Sequence, residues 1–167
     1  MNYMTSTKIF KNFSSNSEFE AQYINNKLIF KVINKGNLKL ELNIDGVTYF
    51  DFHPNISKVF LVCNGKVGIY KISDNYDKIE KINEIKDYSN KIIFASFNPI
   101  EENIVASISS NDVLKIWDIY NGDIKSSKVL NNGDLLYWIE WEKNKIMYYY
   151  NNEIIIYDYN SNNIIYR

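Results

Sequence analysis

Apolar and polar residues alternate with a period of two in four stretches: KLIFKVINKGNLKLELNI (27–44), VTYFDFHPNISKVFLVCNGKVGIYKI (47–72), KIIFASFNPIEENIVASISSNDVLKIWDI (91–119) and LLYWIEWEKNKIMYYYNNEIIIYDY (135–159). Turn-forming residues interrupt each run at short intervals, so each reads as strand, turn, strand, turn, strand. No long window sustains the 3.6-residue stripe of an amphipathic helix. DNYDKIEKINEIKDYSNK (74–91) comes nearest, with Ile79, Ile82 and Ile85 three apart. Its Asp and Asn flanks leave it open between a short helix and an outer strand with loops, and the outer strand is the favoured reading.

The stretches are copies of one pattern. Asn64, Asn111 and Asn151 are each followed, six residues later, by an aromatic: Tyr70, Trp117 and Tyr157. The third and fifth residues after each Asn are apolar: Val67 and Ile69, Leu114 and Ile116, Ile154 and Ile156. The residue after the aromatic is Lys71, Asp118 or Asp158. Upstream, YFDFHP (49–54) matches FASFNP (94–99), and YWIEWEK (137–143) fits without the proline. The anchors lie 47 and 40 residues apart, the spacing of small antiparallel units. The stretch 27–44 is a looser copy with its turn at Asn34-Lys35-Gly36-Asn37. Asn tolerates positive φ, so a hairpin is expected at each anchor. Pro54 and Pro99 end the strands before them, because proline cannot donate to a ladder. The aromatic gives each unit a large apolar group to pack on its neighbour. The units are read as 20–46, 47–90, 91–134 and 135–167, behind a leader at 1–19.

Units of this length, closing on an aromatic-Asp dipeptide, resemble WD40 repeats, the blades of a β-propeller. The third unit resembles a near-complete WD40 unit, and the likeness covers roughly residues 20–160. It implies an all-β fold of about four blades, a partial or truncated ring, since WD40 rings most often have more. The Gly-His dipeptide of such repeats is missing, and Asn stands at 64, 111 and 151 where the tight-turn Asp is usual. The buried Trp-Ser/Thr-His-Asp network is therefore not expected in its usual form, and apolar packing is expected to carry more of the stability. Within the family, the order of units resembles the N-terminal part of coronins. Phe52-His53-Pro54, Trp117 to Gly122, and Gly133-Asp134-Leu135 leading to Trp141 carry that likeness. The Gly-rich turn of the first coronin blade is reduced here to Gly36, and a basic leader is hinted at by STKIFKNF.

Composition narrows the chemistry. The chain has 167 residues, 46% apolar and 16% aromatic, with 14 Tyr, which suits half-buried pleated surfaces. A net charge of −1 shows no basic excess for phosphate binding, and Lys78, Lys81, Lys86 and Arg167 read as dispersed solvated charge. Cys63, the only cysteine, sits in the apolar run VFLVC and reads as a buried thiol. His53, the only histidine, precedes Pro54 and reads as a turn residue. One His and one Cys do not make a zinc site, and no glycine fingerprint for nucleotides occurs. Glu101-Glu102 read as solvated, and in MYYY (147–150) Tyr148 and Tyr150 share a face with Ile146, which favours core packing over a base-stacking platform. The start lacks the apolar region of a signal peptide, and no run approaches a membrane span, so a cytoplasmic protein is expected.

No cofactor or metal is expected, and the reading is a non-catalytic scaffold for protein partners. Likeness to coronins implies F-actin or its nucleation machinery as the partner, or else an adaptor role in another complex. A propeller enzyme would place carboxylates such as Asp51, Asp118 or Asp158 around an axial site. Self-association, or a partner that completes the ring, is also expected of an open set of blades. Repeat logic puts Asn55-Ile56-Ser57, Ile100-Glu101-Glu102 and Tyr120-Asn121 in surface loops as candidate contacts.

Overall fold

The computed structural model describes residues 10–36, 38–86, 90–130, 140–150 and 153–166. Within them lie four antiparallel sheets of four strands, each a simple meander. The first holds β1 (Phe10–Phe13), β2 (Phe19–Ile24), β3 (Lys27–Val32) and β4 (Lys39–Asn43). The second holds β5 (Tyr49–Phe52), β6 (Val59–Cys63), β7 (Val67–Ile72) and β8 (Ile79–Ile85). The third holds β9 (Ile92–Phe97), β10 (Ile104–Ser109), β11 (Val113–Asp118) and β12 (Ile124–Val129). The fourth holds β13 (Glu140–Glu142), β14 (Lys145–Tyr150), β15 (Glu153–Asp158) and β16 (Asn163–Tyr166).

The sheets stack like the blades of a fan. The first strand of each sheet is innermost, with β5 touching both β1 and β9. One apolar cluster joins the first and second sheets, through Phe19, Phe30, Phe52, Phe60 and Tyr70. A second joins the second and third, through Leu61, Ile69, Val105 and Trp117. A third joins the third and fourth, through Ile108, Leu114, Ile146 and Tyr157. Among the described residues no cluster joins the fourth sheet to the first, so the ring is open.

Two local readings change. The first sheet begins at Phe10, inside the stretch read as a leader. The four-residue strand FKNF is too short to declare an alternation, and its ladder to β2 reveals it. The turn read around Asn34, Lys35 and Gly36 lies between β3 and β4, where Ile33–Lys35 form a 3-10 turn, and Asn25-Asn26, both at positive φ, join β2 to β3. At the anchors, the left-handed position falls one residue after the Asn, on Gly65 and Asp112. Asn111 instead accepts a hydrogen bond from the Ser109 hydroxyl at 2.6 Å. Asn151 lies outside the described residues. The segment around Ile79, Ile82 and Ile85 is the outer strand β8.

Gly68 is needed for space. A Cβ there would lie 2.5 Å from Cε2 of Tyr70, whose ring stacks on Phe60 at 5.4 Å. Gly68→Ala is expected to lower stability by about 1–3 kcal/mol through overpacking, read as a drop in the thermal midpoint.

Candidate interaction face

In a four-strand meander the first and third turns lie at one end of the sheet. The structure gathers those turns on one face of the open ring. Asn55-Ile56-Ser57 and Ile100-Glu101-Glu102 are first turns of the second and third sheets, and Tyr120-Asn121 is a third turn. The candidate loop residues thus share one face. Tyr120 is 77% exposed and Ile100 60%.

In the second and third sheets the first turn is built by the residue that follows the aromatic closing the inner strand. His53 is buried, and its Nδ1 accepts from the backbone N–H groups of Asn55 and Ile56, both at 3.1 Å. Nδ1 therefore carries no proton, and Nε2–H points to the carbonyl oxygen of Glu102 in the next sheet at 3.3 Å. Asn98 repeats the arrangement. Its Oδ1 accepts from Ile100 N at 2.8 Å and Glu101 N at 2.9 Å, and its amide donates to Lys143 O at 2.9 Å. Each side chain closes its own turn and fastens the next blade. Burial holds the His53 imidazole below its ordinary value, against the pull of the Glu102 carbonyl.

Tyrosines fasten the same face from the opposite direction. The Tyr159 hydroxyl of the fourth sheet donates to Glu101 of the third, and the Tyr76 hydroxyl of the second donates to Glu18 of the first. Glu101 is therefore a bonded acceptor rather than a purely solvated charge. Ser57 donates to the other Glu18 oxygen at 2.7 Å. Burial alone would raise Glu18, but the bonds from Tyr76, Ser57 and Asn16 hold its carboxyl below the usual range.

The inner strands leave a cleft of about 390 Å³ on this side, lined among others by Phe13, Asp51, His53, Ser96, Glu140 and Trp141. Asp51 accepts from the Asn12 side chain at 2.7 Å and from Phe52 N at 2.9 Å, and burial raises its carboxyl above the ordinary range. The Trp141 indole N–H finds no acceptor among the described residues. Trp141 and Glu140 were not singled out as lining residues from sequence; the alignment of YWIEWEK with FASFNP was the signal that could have placed them there.

Of the carboxylates considered for catalysis, the structure brings only Asp51 to the axis. Asp118 closes a third turn, accepting from Tyr120 N at 3.0 Å and Asn103 at 2.9 Å. Asp158 does the same with Asn160 N at 2.9 Å and Asn144 at 3.2 Å. Cys63 is fully buried, and burial pushes its thiol well up, away from reactive thiolate. The third sheet keeps one link of the buried polar network, Trp117 Nε1 donating to Ser107 Oγ at 2.7 Å. In the fourth sheet Tyr157 takes the Trp117 position and bonds Ser126 of the neighbouring sheet and Asn162.

Known proteins fix the architecture. No family model matches the chain. The WD40 domain of Toxoplasma gondii coronin superposes with a TM-score of 0.74, at 12% identity, over 98% of this chain and 48% of that one. The fold is that of a WD40 β-propeller. Saccharomyces cerevisiae Sqt1 gives 0.76 at 15% identity, over 93% of this chain and 49% of that one. The β-propeller domain of Myceliophteria thermophila Cps50 (Swd1) gives 0.71 at 10%, over 89% and 50%. A 53-residue stretch is 30% identical to the coronin-like protein crn1 of Schizosaccharomyces pombe, which is 32% of this chain and 9% of that protein. The chain thus spans about half the length of these solved propellers. No helix among the described residues is long and apolar enough to cross a membrane.

Proposed function

We propose that this WD40 chain is a non-catalytic scaffold that binds a protein partner through the turn face, and that the partner is the actin filament. The observation that carries the reading is the gathering of Ile56, Ile100 and Tyr120, all exposed, on one face held rigid by the His53 and Asn98 fastenings. Exposed apolar and aromatic groups on a rigid scaffold beside polar rims are what protein interfaces use. Likeness to coronins supports actin as the partner. An adaptor role in another complex would use the same face. Against a propeller enzyme stands the separation of Asp118 and Asp158, each committed to a turn, from Asp51 at the axis.

Co-sedimentation with actin filaments, beside a filament-free tube, tests the proposal. The chain is expected to pellet only with filaments, and less so at higher salt. Replacing Ile100 and Tyr120 together by Ala is expected to weaken retention by roughly tenfold or more. A chain that stays soluble in both tubes does not bind actin, and the adaptor reading then stands alone.

A further inference from the structure

One sheltered carboxylate of this chain is only half satisfied. Asp51 sits on β5, which touches β1 on one side and β9 on the other, so its surroundings come from the first three sheets. Both of its hydrogen bonds land on Oδ1, from the Asn12 side chain at 2.7 Å and from Phe52 N at 2.9 Å. Oδ2 meets no donor among the described residues, and it is not one of the oxygens closed off from solvent. Other sheltered carboxylates are compensated. Glu18 takes Tyr76 on one oxygen and Ser57 on the other, and Glu84 meets Lys66 at 2.7 Å and Lys86 at 2.8 Å. No such charge reaches Asp51, whose carboxyl is raised by burial against only the two bonds on Oδ1.

The cleft that Asp51 lines suits a small organic cation. Phe52, Phe97 and Trp141 give it aromatic walls, Glu140 adds a second negative group, and no lysine or arginine is among its described lining residues. Its volume of about 390 Å³ is in the range of small-molecule sites and has room for an unbranched butyl chain. Aromatic faces and carboxylates attract cations, and a cation entering here offsets a charge that the fold leaves sheltered and unpaired. The number of open oxygens selects the kind of cation. A guanidinium is held best by a two-oxygen fork, and Oδ1 is already filled by two N–H groups. A single open oxygen suits the point charge of an ammonium.

We propose that this cleft binds a primary alkylammonium group at Asp51, the end of a lysine side chain carried by the protein that docks on the turn face. The ammonium donates to Asp51 Oδ2, and the lysine's methylene chain lies along the aromatic wall. Glu140 adds to the field that draws the cation in. That the ammonium belongs to a protein rests on the turn-face reading. The affinity of the cleft for alkylammonium does not.

Titration of the full chain with n-butylammonium chloride, followed by heteronuclear NMR, tests the cleft. The Phe52 N–H and Asn12 side-chain amide signals, both bonded to Asp51, are expected to shift and saturate. The dissociation constant is expected on the order of millimolar, as suits so few heavy atoms. Butylguanidinium is expected to bind roughly threefold to tenfold more weakly, and uncharged n-butanol to leave the signals in place. Asp51→Asn keeps an oxygen that accepts from Asn12 and Phe52 N, and is expected to weaken butylammonium binding roughly tenfold or more. Circular dichroism melts check that it folds. Equal binding of the guanidinium overturns the choice of ammonium. Shifts produced alike by butanol, or full binding by a folded Asp51→Asn, overturn the site, and the ligand series decides this on the wild type alone. In actin co-sedimentation Asp51→Asn is expected to lower retention roughly fivefold or more. Butylammonium binding with unchanged retention of Asp51→Asn overturns the partner's lysine and makes a free alkylamine the ligand. A chain that never pellets removes the filament reading, while the titration still decides the cleft.

Discussion

Trp117→Ala is expected to lower stability by about 3–5 kcal/mol, the range for deleting a large buried aromatic. Trp117 is 4% exposed and sits in the seam between the second and third sheets, so its loss opens a cavity shared by two blades. It also strands the Ser107 hydroxyl, which is 2% exposed and accepts the indole N–H at 2.7 Å. Stabilities of domains are about 5–15 kcal/mol in all, so this one change would leave much of the population unfolded at moderate temperature. Trp117→Phe separates the two contributions. It keeps most of the ring and loses only the hydrogen bond and some volume, for an expected cost of about 1–3 kcal/mol. Urea unfolding followed by circular dichroism reads both variants. Equal effects of Phe and Ala at this position would mean that the seam does not depend on ring packing.

The fastenings at His53 and Asn98 give the second large effect. His53→Ala leaves two turn N–H groups and the Glu102 carbonyl without their protein partner, and removes a ring that packs on Phe97 at 4.7 Å. A loss of about 2–4 kcal/mol is expected, since each buried polar group left unsatisfied costs about 1–3 kcal/mol. Asn98→Ala is expected to cost a similar amount, and because Asn98 closes the turn whose Glu102 carbonyl His53 holds, the double variant should depart from additivity. His53→Asn is the discriminating substitution. The third blade already does with Asn98 what the second does with His53, so Asn should keep both the turn and the bond to Glu102.

These two side chains differ in their response to acid. The folded protein holds the His53 imidazole below its ordinary 6.5, so the neutral ring is favoured by folding. Its contribution is fully present above pH 6.5 and is lost as pH falls through the window between 6.5 and the lower folded value. Protonation puts a proton on Nδ1 and turns the acceptor of two N–H groups into a donor facing them. The wild type is therefore expected to lose more stability than His53→Asn between neutral pH and pH 5, by chemical denaturation at each pH. Parallel curves for the two proteins would show that the ring does not titrate in that window.

The repeat itself was legible because its strands are half-buried. A face that packs on a neighbour and a face that packs on another neighbour leave a period-two signature with an aromatic at a fixed offset, and Val67, Ile69 and Tyr70 display it in four residues. Outer strands were harder to read. IKSSKV, 124–129, is mostly exposed and carries no apolar stripe, so only its ladder to the third strand makes it a strand. The same holds for FKNF at the start of the first sheet. At the candidate face, the sequence placed the loops on the surface and took His53 for a turn residue. It had no means to pair His53 with Glu102, 49 residues away, or Tyr159 with Glu101, 58 residues away. Cross-blade bonds join positions whose local patterns are unrelated.

By itself the sequence determined the architecture: antiparallel blades of about 40 residues, apolar pairs and aromatics that mesh from one unit to the next, and a chemistry poor in histidine, cysteine and phosphate-binding glycines. Those features are local, since alternation, turn residues and composition act within a few positions of the chain. Tertiary structure alone decided which loops share a face, and that Asp51 reaches the axis while Asp118 and Asp158 close turns. Each of these depends on the direction a side chain takes once neighbouring sheets are stacked, and the stacking is fixed by contacts between residues far apart in sequence.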